Sequence, residues 1–171
     1  MFKNIILTGF MGVGKTSVGT RLAKDMGYAF VDTDTLIETD QKTTITEIFS
    51  TFGEPYFRDV ESRIIKQALE NEGQVLSTGG GAVIRDENRA AFKQAGIVIC
   101  LFARPEVIFG RIKQETHRPL LQAPDPLAKI RELLDSREKW YRQADLMVDT
   151  SDKSVDDVIS EIKEKVRYAR C

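Results

Sequence analysis

The sequence predicts an α/β fold: one domain, residues 1–171, with helices on both faces of a five-stranded parallel sheet. The length of 171 residues suits a single domain. Short apolar runs alternate with longer segments whose apolar residues recur at helical spacing, which is the pattern of a parallel sheet buried on both faces. The first of these runs, residues 5–7, leads into a glycine-rich turn and then a helix. Together these observations predict strands and helices that alternate along the chain.

The predicted strands are the short apolar runs between turn residues. They are at 2–8, 28–31, 74–77, 97–102 and 146–148. The predicted helices carry apolar stripes; Gly27 ends the first, and Pro55 and Pro105 lie near the start of two others. They are at 16–26, 34–40, 46–52, 56–70, 87–95, 106–113, 127–141 and 155–168. Because the carboxyl ends of parallel strands meet at one edge, we expect the polar residues that follow them to share one rim.

The composition is that of an ordinary globular protein, with 42% hydrophobic and 30% charged residues. The net charge of -1 gives no reason to expect binding to nucleic acid or to an acidic membrane. No run of about 18 apolar residues is present, and the N-terminus lacks the features of a signal peptide, so we expect no membrane association. Cys100 and Cys171 predict neither a disulfide framework nor a metal site, which fits a reducing cytoplasm.

A phosphate-binding loop is the strongest functional signal. Residues 9–16, Gly-Phe-Met-Gly-Val-Gly-Lys-Thr, follow the first strand and match the pattern G-x-x-x-x-G-K-T. Glycines let the backbone aim its N–H groups at phosphate, and the following helix adds the positive end of its dipole. Lys15 is expected to reach the β and γ phosphates, and the Thr16 hydroxyl to bind Mg²⁺. The sequence therefore predicts binding of a nucleoside triphosphate.

Two carboxylates, Asp32 and Asp34, close the second predicted strand. If the backbone is extended there, both side chains point to the same side. One carboxylate can then hold Mg²⁺, directly or through water, while the other accepts a hydrogen bond from a substrate hydroxyl, with or without taking its proton. The alternative is a helix cap or a solvated turn, which aspartate also favours. The neighbouring phosphate-binding loop favours the functional interpretation.

Two further features have both a structural and a functional interpretation. Arg58 and Glu61 are three residues apart on a predicted helix, either as an exposed ion pair or as an oriented guanidinium that binds a carboxylate. The run Gly79-Gly80-Gly81 follows the third strand. It indicates either a tight turn or a close approach of the backbone to a ligand.

The segment at about 113–125 has neither strand nor helix periodicity; it contains Arg118 and two prolines, and a third proline, Pro126, follows it directly. Loops of this length are often mobile lids over an active site, although an irregular connection is the alternative. An arginine on a lid can stabilise charge on a transferring phosphoryl group. No nucleophile triad or zinc site is visible, and phosphoryl transfer requires neither.

Jointly, these motifs resemble shikimate kinases along nearly the whole chain. The motifs that carry the resemblance are the phosphate-binding loop, Asp32-Thr33-Asp34, Phe57-Arg58-x-x-Glu61, Gly79-Gly80-Gly81, Arg118-Pro119-Leu120-Leu121, and Arg137 ahead of Tyr141-Arg142. The resemblance implies a P-loop kinase fold with strand order 2-3-1-4-5, a mobile lid, and a substrate-binding helical part at about 33–61. It also implies a monomer that transfers the γ-phosphate of ATP to the 3-hydroxyl of shikimate, in the pathway to the aromatic amino acids.

The same resemblance implies roles for individual residues. Asp34 would contact the shikimate hydroxyls, Arg58 and Arg137 its carboxylate, and Glu61 would orient Arg58. The glycine run and the walls of the ring pocket would complete this site: Gly79, Gly80, Gly81, Phe49, Phe57, Pro119 and Leu120. The nucleotide would contact Gly12, Val13, Gly14, Lys15, Thr16, Ser17, Arg111, Arg118 and Lys153. Mg²⁺ would bind Thr16 and, through water, Asp32, and the catalytic residues would be Lys15, Asp34 and Arg118.

Two alternatives remain at this stage. A gluconate kinase would also have a phosphate-binding loop, an acidic motif and arginines for its acid substrate, although the combined motifs favour shikimate. A GTPase-like switch would usually carry an Asn-Lys-x-Asp motif for guanine, which this sequence lacks. Substrate-dependent turnover of ATP, tested with shikimate and with sugar acids, distinguishes the three.

Overall fold

A computed structural model describes residues 2–113 and 123–168. The five strands, all parallel, are β1 (Asn4–Thr8), β2 (Ala29–Asp32), β3 (Gln74–Ser77), β4 (Ile97–Phe102) and β5 (Leu146–Asp149). Their order in the sheet is β2-β3-β1-β4-β5, which confirms the predicted order. The helices are α1 (Lys15–Met26), α2 (Thr33–Gln41), α3 (Ile45–Ala68), α4 (Asp86–Ala95), α5 (Pro105–Ile112), α6 (Pro126–Tyr141) and α7 (Val155–Tyr168). A short 3-10 helix lies at Ala82–Ile84.

The two faces of the sheet are covered by different helices. Along β1, Ile5 and Leu7 belong to a buried cluster with side chains of α1, α5, α6 and α7. Ile6 points to the other face and packs with side chains of α3 and α4. All three residues have no exposed surface, as expected for alternating side chains on a strand that is covered from both sides.

A third apolar cluster joins α2 to α3 beyond the edge of the sheet. Ile37 of α2 packs there with Ile48, Phe57, Val60 and Ile64 of α3. This cluster fixes the helical part of the chain beside the carboxyl ends of β2 and β3. It thereby places the α3 residues that were predicted to bind substrate next to the rim.

The predictions of helices 46–52 and 56–70 differ from the structure in one respect. A single element, α3, spans both as far as Ala68, and it is broken at Gly53, whose φ of 81° and ψ of 173° are not helical. Glycine adopts this positive φ without steric cost. Pro55 follows in the first turn of the second arm, where a missing N–H costs no helical hydrogen bond.

The strand register brings the polar motifs to one edge. Ser77 of β3 pairs with Leu7 of β1 on one side and with Asp32 of β2 on the other. The phosphate-binding loop, Asp32 and the glycine run therefore leave the sheet side by side. Within residues 2–113 and 123–168, no helix is long and apolar enough to cross a bilayer.

Candidate active site

A cavity of about 1020 Å³ opens at this edge of the sheet. One wall is the phosphate-binding loop and the start of α1, and a second is formed by the ends of β2 and β3. The remaining walls come from α3 and from α6. The cavity thus joins most of the predicted nucleotide residues to most of the predicted acid-substrate residues.

The phosphate-binding loop is held open by backbone geometry that requires glycine. Gly9, Gly12 and Gly14 have φ of 132°, 74° and 99°, and a Cβ at Gly9 would lie 2.1 Å from the carbonyl oxygen of Leu101. Helix α1 then begins at Lys15 with no side-chain cap and no acidic residue in its first turn. Its first N–H groups and its positive dipole end are therefore suited to an anion.

The Lys15 ammonium lies inside this loop. Its Nζ donates hydrogen bonds to the carbonyl oxygens of Gly9 and Phe10, each at 2.8 Å. Val13 has a different position from its neighbours, because its side chain is 1% exposed and packs in the core. Only the backbone of Val13 is therefore placed to meet a nucleotide, whereas Gly12, Gly14, Lys15, Thr16 and Ser17 line the cavity.

Asp32 and Asp34 both line the cavity, but by a different geometry from the extended one considered above. Helix α2 begins at Thr33, so Asp34 is already helical and Asp32 is its N-cap. Oδ1 of Asp32 accepts hydrogen bonds from the backbone N–H groups of Asp34 at 3.0 Å and Thr35 at 3.3 Å. Asp32 is thus a helix cap as well as a cavity residue. The extended backbone was the wrong premise, because the capping bonds turn the chain into the helix immediately.

Acidic and basic side chains pack directly against the backbone of the glycine run and leave no space there for a side chain. A Cβ at Gly79 would lie 2.9 Å from Oδ1 of Asp34 and 3.0 Å from Oε1 of Glu61. A Cβ at Gly81 would lie 2.2 Å from Nη2 of Arg58. These glycines are therefore needed for the approach of charged side chains. A side chain at Gly79 or at Gly81 would displace the charged side chain that packs against that glycine.

Arg58 is held by two carboxylates on its own helix. Its Nη1 donates to Oε2 of Glu61 at 2.6 Å, and its Nε and Nη2 both donate to Oε1 of Glu54 at 3.2 Å. Arg58 is 12% exposed in its side chain and Glu61 is fully buried, which rules out an ordinary surface ion pair. The second oxygen of Glu61, Oε1, has no hydrogen-bond partner among the residues that the structure describes.

Burial raises the pKa of the Glu61 carboxyl, while the charge and the hydrogen bond of Arg58 lower it. The negative charge of Asp34 also raises it. The outcome is a buried acid whose oxygen faces the same small space as Asp34, beside Gly79. The arginine offers its N–H groups to the carboxylate of a hydroxylated acid, and Asp34 offers acceptor oxygens to the hydroxyl groups.

Aromatic side chains form the apolar wall near Arg58. The rings of Phe49 and Phe57 lie 4.5 Å apart between centroids, and the guanidinium carbon of Arg58 lies 5.0 Å from the Phe57 centroid. Phe49 is 36% exposed, whereas Phe57 is buried. Both line the cavity, as does Arg137 of α6, whose guanidinium carbon lies 5.7 Å from the ring centroid of Phe10.

Besides Val13, two predicted nucleotide residues, Arg111 and Lys153, do not line this cavity. Arg111 donates from Nη1 to the carbonyl of Gly12 at 3.2 Å and from Nη2 to the carbonyl of Thr150 at 2.6 Å, so it packs behind the phosphate-binding loop. Lys153, on the loop after β5, donates to Oε2 of Glu161 at 2.5 Å. Three further predicted residues, Arg118, Pro119 and Leu120, lie outside the described residues, together with most of the predicted lid.

The chemistry of the donor set fits Mg²⁺. Thr16 and Asp32 present a hydroxyl and a carboxylate to the same cavity beside the open N-terminus of α1. Mg²⁺ uses one or two protein oxygens and completes its shell with water and phosphate oxygens. The described residues contain no group of three or more metal-ligating side chains, so a cation bound by protein alone is not what this site offers.

Comparison with known proteins decides the family. The family model for shikimate kinase matches residues 11–167. A shikimate kinase of Thermodesulfovibrio yellowstonii is 49% identical over 160 residues, which are 94% of this chain and 92% of that protein. The chain belongs to the shikimate kinase family. Membership selects this family over the gluconate kinase and the GTPase-like switch.

Solved structures of shikimate kinases have the same fold over nearly the whole chain. Shikimate kinase from Acinetobacter baumannii in complex with shikimate superposes with a TM-score of 0.94 at 36% identity, covering 99% of this chain and 95% of that one. Shikimate kinase from Bacteroides thetaiotaomicron superposes with a TM-score of 0.91 at 29% identity, covering 98% and 99%. The predicted fold class is confirmed.

Sequence reasoning missed several residues that shape the cavity and its walls. Thr33 is buried, and its Oγ1 accepts a hydrogen bond from the N–H of Gly79 at 3.3 Å. Glu54 was missed although its spacing of four residues from Arg58 is a signal for a pair on a helix. The hydrogen bond between Tyr141 and Gly80 joins residues 61 positions apart and has no local signal.

Proposed function

We propose that this chain transfers the γ-phosphate of ATP to the 3-hydroxyl of shikimate, giving shikimate 3-phosphate and ADP in the shikimate pathway. The observation that carries the proposal is that one cavity contains both an anion-binding helix terminus and a cluster of arginine and aspartate side chains. A phosphoryl donor and a small hydroxylated acid can therefore meet without leaving it. Transfer then depends on positioning and on charge stabilisation.

The phosphate end of the cavity binds ATP. The backbone N–H groups of residues 12–17 and the Lys15 ammonium surround the phosphates. When Lys15 exchanges its two carbonyl partners for phosphate oxygens, it stabilises the charge that develops on the transferring group. Thr16, and Asp32 through water, would hold Mg²⁺, which would supply positive charge to neutralise the phosphates. Arg111 and Lys153 are assigned to the adenine side of the nucleotide, behind the loop.

The other end binds shikimate. Arg58 and Arg137 bind its carboxylate, and Glu61 and Glu54 hold the Arg58 guanidinium in place. Asp34 accepts a hydrogen bond from the reacting hydroxyl of shikimate and so aligns the hydroxyl oxygen with the γ-phosphorus. The ring lies against an apolar wall, and backbone groups approach it from the glycine run. This part of the site comprises Phe49, Phe57, Pro119, Leu120, Gly79, Gly80 and Gly81.

The segment at about 113–125 is assigned as a lid that carries Arg118 over the phosphates, where its guanidinium stabilises the transferring group. The helical part at about 33–61 is assigned to substrate binding. A monomeric state, the absence of a nucleic-acid partner and a cytoplasmic location stay predictions from the sequence.

Release of ADP and formation of phosphorylated product, followed together, test this function. With ATP and Mg²⁺, we expect little ADP without an acceptor and a saturable rise with shikimate, with shikimate 3-phosphate identified by mass spectrometry. Asp34→Asn should lower kcat by about 10²–10⁴-fold, the usual contribution of a positioned proton acceptor. Asp135→Asn, at an exposed position of α6, is the matched control and should leave turnover unchanged.

Gluconate in place of shikimate, and GTP in place of ATP, complete the experiment. A preference for gluconate would contradict the assignment of the acid substrate. Hydrolysis that proceeds equally without an acceptor would contradict the assignment as a kinase of a small molecule.

A further inference from the structure

The last residue of α6 is bonded to the glycine run. The hydroxyl of Tyr141 donates a hydrogen bond to the carbonyl oxygen of Gly80 at 2.6 Å, and the Tyr141 side chain is buried. Gly80 lies in the cavity wall and is separated from Tyr141 by the whole of β4 and α5 in sequence. The bond therefore ties the helix that carries Arg137 to the loop that follows β3.

Arg137 lies one helical turn before Tyr141 on the same face of α6. The positive charge of its guanidinium lowers the pKa of the Tyr141 hydroxyl, against the effect of burial. A phenol has one hydrogen to donate and lone pairs to accept. Because its hydrogen goes to the Gly80 carbonyl, the lone pairs of the hydroxyl oxygen remain available to the Arg137 guanidinium.

The Gly80 peptide links this hydroxyl to the second arginine. In a trans peptide the carbonyl of one residue and the N–H of the next point in opposite directions. Holding the Gly80 carbonyl toward Tyr141 therefore fixes the Gly81 N–H on the opposite side. The Arg58 guanidinium packs against this same Gly81, where a Cβ would lie 2.2 Å from Nη2.

We propose that Tyr141 is a positioning residue for the acid substrate: its hydroxyl sets the peptide against which Arg58 rests and offers its lone pairs to the neighbouring Arg137 guanidinium. The proposal builds on the proposed function, because both arginines are assigned there to the shikimate carboxylate. Burial raises the pKa of Tyr141 to about 12, with the charge of Arg137 opposing the effect. The hydroxyl thus keeps its proton, and its bond to Gly80, at physiological pH.

A stability measurement cannot distinguish a positioning role of Tyr141 from a purely structural one, because both predict a loss of stability when the hydroxyl is removed. The chain offers a matched control for the structural role. Tyr28 also donates its hydroxyl to a backbone carbonyl, that of Phe2, at 2.7 Å. It lies among the residues packed on the core and does not line the cavity. Tyr141→Phe and Tyr28→Phe each remove one phenol-to-carbonyl hydrogen bond, and only the first acts on the site.

Steady-state kinetics separates the two roles. In Tyr141→Phe we expect the KM for shikimate to rise about three- to tenfold, the effect of one lost hydrogen bond, with kcat and the KM for ATP little changed. Tyr28→Phe should match wild type in all three constants while losing a similar amount of thermal stability. In an Arg137→Lys background, Tyr141→Phe should add less than it does alone, because the two residues act as a unit.

Hydrogen exchange tests the anchoring without any substrate. The N–H of Ala82 donates to the Gly79 carbonyl at 3.1 Å across the glycine run, so its exchange reports how firmly the run is held. We expect faster exchange over residues 79–82 in Tyr141→Phe and not in Tyr28→Phe. If wild type fails to phosphorylate shikimate while this difference is present, the proposed function falls and the anchoring stands. Unchanged exchange, or an unchanged KM for shikimate in an active enzyme, overturns the positioning role.

Discussion

The guanidinium of Arg58 lies 2.6 Å from the carboxylate of Glu61, a residue with no exposed surface. A buried ion of this kind depends on its partner, because Arg58 gives the carboxylate its one hydrogen bond among the described residues. The pair also points Arg58 at the cavity, where it is assigned to the acid substrate. Binding and stability are therefore coupled at this position, and the two effects can be separated by mutation.

Replacement of Arg58 by leucine should weaken binding of the acid substrate and leave binding of the nucleotide unchanged. In Arg58→Leu we expect the KM for shikimate to rise about 10- to 100-fold, since charge-assisted hydrogen bonds to a carboxylate are lost. The KM for ATP should stay close to wild type. The same variant should lose about 3–5 kcal/mol of unfolding free energy, because Glu61 is left buried and unpaired. Steady-state kinetics and urea unfolding measure the two effects.

Two controls accompany this variant. Arg63→Leu removes an arginine from the same helix whose partner, Asp40, is on α2 away from the cavity, and it should leave both KM values unchanged. Arg58→Leu combined with Glu61→Gln should regain most of the lost stability and none of the shikimate affinity. Recovery of affinity in the double variant would show that Arg58 does not contact the substrate.

The stability of the protein should depend on the ionisation of Glu61 in a definite direction. Burial raises its pKa above the ordinary value of 4.5, an effect that the charge of Arg58 opposes and that of Asp34 reinforces. The folded protein therefore retains the proton at pH values where the unfolded chain has lost it. Stability from this group is fully present below the unfolded pKa and is lost as the pH rises through the folded pKa.

A comparison of wild type with Glu61→Gln isolates this effect, since the other titrating groups are common to both. From pH 4.5 upward, the unfolding free energy of wild type should fall relative to that of the variant and then become parallel to it. Urea unfolding at a series of pH values measures the difference. If wild type instead becomes more stable relative to the variant as the pH rises, the ion pair with Arg58, and not burial, determines the direction of the Glu61 pKa shift.

Much of the fold was predictable because its signals are local. The buried strands are continuous apolar runs such as Ile97-Val98-Ile99-Cys100-Leu101, and the phosphate-binding loop combines such a run with a glycine spacing that only one geometry satisfies. The strand order came from the family resemblance. Boundaries shifted by a residue or two where caps compete, as at Asp32, which ends β2 and starts α2 together.

The rest of the site depends on contacts that are distant in sequence. The glycine run was open to two interpretations, and neither foresaw that Gly79 and Gly81 accommodate the side chains of Asp34, Glu61 and Arg58. Nothing in the local pattern links these residues, because α3 reaches the glycine run only through the packing of the fold. Fold-level placement, and not spacing, brings them together.

Gly81→Ala tests this close approach. The new methyl group would meet the Arg58 guanidinium, the far end of a flexible side chain, so the protein should fold while Arg58 moves aside. We expect the KM for shikimate to rise about tenfold, because a misplaced charged partner loses most of its bonding. Gly110→Ala is the control, since nothing lies within 4 Å of its Cβ position inside α5. It should retain wild-type kinetics and gain about 0.5–1 kcal/mol of stability. Wild-type kinetics in Gly81→Ala would argue against a role of Arg58 in binding the shikimate carboxylate.

Lys15→Ala tests the phosphate end. In the structure its ammonium bonds to the carbonyl oxygens of Gly9 and Phe10, within the loop where the γ-phosphate is assigned. Loss of this charge should lower kcat by at least about 10²-fold, because it acts on the charge of the transferring group, while the KM for shikimate changes little. Lys24→Ala, in the last turn of the same helix, removes an equal charge away from the cavity and should leave kcat unchanged. Equal losses in the two variants would show a general effect of net charge, and the assignment of Lys15 to phosphoryl transfer would then be wrong.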